Sequence, residues 1–145
     1  MLQNGKALKL LMEEMKATIA KISSNSSLSP FAAKLQNAAK SLHGTTLHLI
    51  GVATKNRPEV FLSDATLYLE FFGIVTVAWL WLKQGEVAQK AINAGTTEAD
   101  NLFYQGKVHT MKYYFEYELP KIQALRDRLL SEERLTLDIE SAFIN

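Results

Sequence analysis

Glu70 stands at the edge of the longest apolar run in the chain, and a carboxylate there is the strongest candidate for acid–base chemistry. Buried among apolar side chains, it would keep its proton to higher pH and could donate or accept one near neutrality. Paired with a cation or turned to solvent, it would be an ordinary surface group. An enzyme acting through Glu70 and a tyrosine would need a concave pocket at that carboxylate. The aromatic group Tyr113, Tyr114, Phe115 and Tyr117, with Phe103 and Tyr104 upstream, is the other conspicuous feature. Tyr113 and Tyr117 are four residues apart and share a helical face distinct from that of Phe115. Tyrosine joins an apolar ring to a polar tip, which suits both a core edge and an interface.

Metal and nucleophile chemistry find little support. Carboxylate-bridged metal sites in helical bundles use Glu-x-x-His on two helices. No acidic residue here precedes a histidine by three, His43 and His48 are five apart and diverge around a helix, and His109 is alone. The serines concentrate in a turn, and no Gly-x-Ser-x-Gly or glycine-rich phosphate loop occurs. The absence of cysteine excludes thiol catalysis, disulfides and cysteine zinc sites, and suits a reducing, cytoplasmic setting. A net charge of +1 over 145 residues gives no sign of a nucleic-acid partner.

The elements that must position these residues follow from periodicity. Leu8, Leu11, Met12, Met15, Ile19 and Ile22 form one helical face. This opening stretch carries charges throughout, which is unlike a signal peptide. The serine-rich residues 23–29 read as a turn, after which Ser29 and Pro30 fit the cap and first position of a second helix. That helix carries Phe31, Leu35, Ala38, Leu42, Thr45 and Leu49 on one side. Gly44 and Gly51 share a face, which fits close approach of a neighbouring backbone or simple fraying. Lys55-Asn56-Arg57-Pro58 ends it.

Ser63 or Asp64 caps a central helix that runs to Ala94 and stops at Gly95. Its middle, Phe71 to Leu82, has no charge and is apolar nearly all round, although it falls short of the ~20 residues that cross a bilayer. The expectation is a buried helix covered on both sides. Phe72 and Trp79 would face the bundle core, and Trp81, with Tyr113 and Tyr117, would face a second body. Thr96 to Asn101 reads as a polar connection. A last helix from Leu102 carries Val108, Met111, Phe115, Leu119, Ile122, Leu125 and Leu129 inward, with a kink at Pro120. From about residue 132 the chain is a tail, with Leu137, Ile139 and Phe143 as anchors. The expected fold is all-α, an antiparallel up-and-down four-helix bundle forming one domain over residues 1–145.

Asp64-Ala65-Thr66-x-Tyr68-Leu69-x-x-Phe72-Gly73, followed by Trp79, resembles the C-terminal helical domain of bacterial long-form acyl-CoA dehydrogenases of the 3-methylmercaptopropionyl-CoA dehydrogenase type. Phe103-Tyr104-x-x-Lys107 with Thr110, Tyr114-Phe115 and Leu119-Pro120 is similar to a later segment of the same domain, and Asn4-Gly5-Lys6-Ala7 to its join with the flavin-binding body. The likeness spans about Gly5 to Phe143 and departs at Gly106, where the family usually has alanine, and at Tyr113. The resemblance implies a parent that uses FAD to oxidise acyl-CoA, with its base, flavin and CoA contacts in preceding domains. No catalytic, cofactor-binding or metal-binding residue is thereby implied in this chain. Its implied partners are the upstream dehydrogenase domains or a second subunit, and self-association is expected of the chain alone. The alternative is a stand-alone bundle that binds an amphipathic helix or an acyl chain in a groove.

Overall fold

The structure, a computed structural model, describes residues 5–55, 58–140 and 143–144. Among these residues there are helices and turns and no strand. In chain order the elements are α1 (Lys6–Ile22), α2 (Ser29–Thr54), α3 (Pro58–Ser63), α4 (Ala65–Ala94), α5 (Glu98–Tyr113), a π turn (Tyr114–Glu118), a 3-10 turn (Leu119–Lys121) and α6 (Ile122–Leu130). Six α segments replace the four expected. Two differences account for this: the stretch before Asp64 closes into the short α3, and the last rod is divided around Pro120.

That division has a backbone cause. Proline lacks the N–H that an α-helix would use. The chain widens one turn earlier, so that the Leu119 N–H reaches the Tyr114 carbonyl five residues back. Pro120 then falls in a 3-10 turn before α6 resumes. The expected kink is therefore a π turn followed by a tight one.

Capping departs from the sequence expectation at three places. Leu28, fully buried, occupies the position before α2, and Ser29 lies already within its first turn. Asp64 precedes α4, but its carboxylate accepts from Arg128 Nη2 at 2.8 Å and not from the helix it opens. α5 begins at Glu98, earlier than Leu102, because Thr97 accepts from the Asp100 N–H at 3.2 Å. Gly95 ends α4 with φ 81° as expected, though its ψ of 126° is not left-handed helical. The break at 55–58 and the join at residue 4 fall partly outside the described residues.

Core positions follow the helical periods. Met15, Ile19 and Ile22 of α1 meet Leu35, Ala38, Leu42 and Leu49 of α2. Met111, Phe115, Leu119 and Leu129 close the far side, while Ile122 and Leu125 pack at its edge. From α4 the inward residues are Phe71, Val75, Ala78 and Leu82. This corrects the assignment of Phe72 and Trp79 to the centre, since both are only half-buried. The tail is looser than expected: Leu137 is half-buried, and Ile139 and Phe143 are exposed.

Specific bonds fix neighbouring helices in register. Trp79 Nε1 donates to Thr18 Oγ1 at 2.8 Å, and Lys21 Nζ reaches Glu86 at 2.9 Å, so α1 and α4 run in the same sense. Tyr114 Oη donates to the Ile74 carbonyl at 3.2 Å while Lys107 lies over the Trp81 ring, so α4 and α5 run oppositely. Lys34 pairs with Glu116, and Phe31 meets Phe115 edge-on at 5.5 Å, which joins α2 to the π turn.

Gly44 and Gly51 have nothing within 4 Å of where a Cβ would sit, so the close approach weighed for them is absent. It occurs at Gly85, where an added Cβ would run into the sulfur of fully buried Met111. Gly44→Ala is expected to stabilise by up to about 1 kcal/mol through helix propensity. Gly85→Ala is expected to destabilise by about 1–2 kcal/mol, the overpacking outweighing the same gain. Urea unfolding of the two variants checks the opposite signs.

Glu86 also gives a pH dependence. Burial pushes its carboxyl up, but hydrogen bonds from Lys21 and Lys90 outweigh that and hold it below the usual carboxylate value. A lowered folded pKa stabilises above the unfolded value and loses that stabilisation as pH falls through the carboxylate range. Glu86→Gln should therefore lower Tm by roughly 2–4 °C at pH 7 and change it little at pH 3. Thermal melts at the two pH values test this.

Candidate functional site

At 100° per residue, three consecutive positions mark the sides of α4. Trp79 turns toward α1, where it bonds Thr18 and has Lys83 Nζ 4.8 Å from its ring centroid. Trp81 turns toward α5, where Lys107 Nζ stands 5.7 Å from its ring and 5.4 Å from that of Phe103. Leu80, between them in sequence, lies on the side opposite the core. The two tryptophans are therefore seals along the flanks of α4, and the centre of its outer face is Leu80.

This outer face is apolar and uncovered. Leu69, Leu80 and Val87 are 68%, 44% and 63% exposed, with exposed Val77 and half-buried Gly73 in the same stripe. By length and hydropathy α4 could cross a membrane, and only 22% of its most apolar 18-residue stretch is buried within the chain. The expectation of a buried helix is corrected accordingly: the chain covers α4 on its core side and leaves the other side open. The spacing of Leu69, Val77, Leu80 and Val87 is a readable signal for this stripe.

Beside the stripe, Tyr113 and Tyr117 stack at 4.7 Å with their planes 15° apart, both exposed. Tyr114 turns the other way, and its phenol is pushed up by burial first and by Glu118 second. The structure thus brings Tyr113 and Tyr117 together. It places Trp81 apart from them, against Lys107, which precedes Tyr113 by about 9 Å of helix. Glu70 is exposed near Tyr113 and Lys121, on the open side of α4, so no buried acid–base pair forms there.

His43 and His109 are exposed. His48 is half-buried and its Nε2 lacks a partner, as does Thr45 Oγ1 one turn earlier on α2. Among the described residues no three His, Asp or Glu side chains converge as a metal site would require. The glycines stand singly within helices or at their ends, and no glycine-rich turn opens a helix to cradle a pyrophosphate.

Tyr114→Phe should cost about 0.5–1.5 kcal/mol by removing the bond to the Ile74 carbonyl. Tyr117→Phe should leave stability within about 0.5 kcal/mol, since its hydroxyl is on the open face. Denaturant midpoints of the pair measure the contrast.

Residues 11–140 match the family described as acetyl-CoA dehydrogenase C-terminal like. The broad-specificity linear acyl-CoA dehydrogenase FadE5 of Mycobacterium tuberculosis is 32% identical over 78 residues, which is 52% of this chain and 13% of that protein. The aligned part is thus a small fraction of a much longer relative.

Proposed function

The chain belongs to the acetyl-CoA dehydrogenase C-terminal-like family, and on that premise we propose that it is the accessory C-terminal domain of an FAD-dependent acyl-CoA dehydrogenase-like enzyme. In this reading the flavin and acyl-CoA chemistry of fatty acid metabolism belongs to preceding domains, and this chain contributes no catalytic residue. The helices act as an up-and-down four-helix bundle, with α5, the π turn and α6 as its fourth rod. The bundle docks on the flavin-binding body or on a second subunit in the cytoplasm.

The observation that carries the proposal is the uncovered apolar stripe on α4, centred on Leu80 and flanked by Trp81 and the Tyr113–Tyr117 stack. A chain that exposes Leu69, Val77, Leu80 and Val87 along one helix, rimmed by aromatics and by Lys107, has the composition of an interface.

The isolated chain should self-associate through this strip. Sedimentation should give a mass that rises with concentration for the wild type, and a monomer for Leu80→Glu with unchanged helicity. A wild type that stays monomeric at high concentration, indistinguishable from Leu80→Glu, would overturn the assignment.

A further inference from the structure

A second apolar surface lies on the far side of the molecule, between α1 and α2. One end is a groove of about 460 Å³ lined by Met12, Lys16, Ile19, Ala39, Lys40 and His43. It continues, sharing Met12, Lys16 and His43, into a section of about 360 Å³ floored by Leu8, Leu47 and Ile50. From Ile19 to Gly5 the pair spans about 21 Å of helix. The volumes lie in the range of sites for small molecules.

Charge is distributed unevenly along it. At the Leu8 end, Lys9 and Glu13 are 3.9 Å apart and offset one another. Lys40 from α2 and Lys16 from α1, the latter shared by both sections, line the groove together, and neither has an ion-pair partner among the described residues. His43 adjoins them at the junction of the two sections. Leu47 and Ile50, half exposed at 56% and 50%, form the apolar wall beyond. Lys40 in the first section and Lys16 at the junction, with aliphatic Leu8, Leu47 and Ile50 beyond, are complementary to a molecule with a single negative head and an unbranched tail.

We infer that the α1–α2 groove binds one monomeric fatty carboxylate, its head between Lys16 and Lys40 and its tail along Met12, Leu8, Leu47 and Ile50. The site is independent of the docking face on α4. A polar peptide would gain little from the aliphatic trough, and a neutral amphiphile would leave the two lysines without a counter-charge.

The probe is sodium laurate below its micelle concentration, titrated into the chain and followed by methionine methyl NMR. Met12 lies on the floor, and fully buried Met111 reports whether the fold is intact. Laurate should shift Met12 saturably and leave Met111 in place. Lys16→Glu with Lys40→Glu should weaken binding at least tenfold, and Leu47→Asp, an exposed position, should weaken it with the fold preserved. Dodecyl maltoside, with the same tail length and no charge, and butyrate, with the charge and almost no tail, should both bind far more weakly. Equal binding of either control, unchanged binding by the lysine variant, or a Met12 shift seen only with phosphatidylglycerol vesicles would overturn the inference.

Discussion

The architecture depends on one helix that cannot satisfy its own surface. α4 buries Phe71, Val75, Ala78 and Leu82 on one side and presents Leu69, Val77, Leu80 and Val87 on the other. Both sides are apolar, and the other long helices meet only the first. The remaining contacts make that asymmetry possible: Trp79 and Trp81 close the flanks through Thr18 and Lys107, so water reaches the outer stripe without entering the core. Burial of aliphatic surface yields roughly 25 cal/mol per Å². An open strip of this kind is thus an unrealised source of binding free energy, which a partner can draw on.

The polar bonds serve register more than strength. Lys21–Glu86, Tyr114 with the Ile74 carbonyl, and Arg128–Asp64 each join residues more than 35 positions apart in the chain. Each has at least one part-buried partner and contributes modestly to stability, on the order of 1 kcal/mol. Their value is geometric, because apolar side chains alone tolerate sliding by a turn. Arg128 is the clearest case: it holds the residue before α4 and also donates to the Glu133 carbonyl at 3.0 Å, so one side chain ties the start of the central helix to the beginning of the tail.

Much of the helical plan was legible because long amphipathic periods are strong signals. α1, α2 and α4 begin and end within a residue or so of where their caps, prolines and glycines suggested. The inward residues of α2 and of the last rod were equally plain. What was hidden depended on tertiary geometry. On α4 two apolar stripes compete, and nothing local says that Phe71 and Val75 turn inward while Phe72 and Trp79 sit at the edge. Gly44 and Gly51 looked like contact glycines because they share a face, yet the contact is at Gly85, chosen by the position of Met111 on another helix. Tyr113 and Tyr117 were correctly paired by spacing, whereas Trp81 was grouped with them by residue type and stands against Lys107. The family match extends over most of the chain, in keeping with the motifs around Asp64, Phe103 and Leu119.

The π turn at Tyr114–Glu118 acts as a phase setter for everything after it. A wide turn takes up one more residue than an α turn, and an α-helix rotates by about 100° for each residue added or lost. Removing a single residue from this segment would thus swing α6 around its own axis, carrying Leu129 off the interior and Arg128 away from Asp64. Length in these five positions is under geometric control as well as residue identity, so insertions and deletions should be far less tolerated there than in the serine-rich turn after α1.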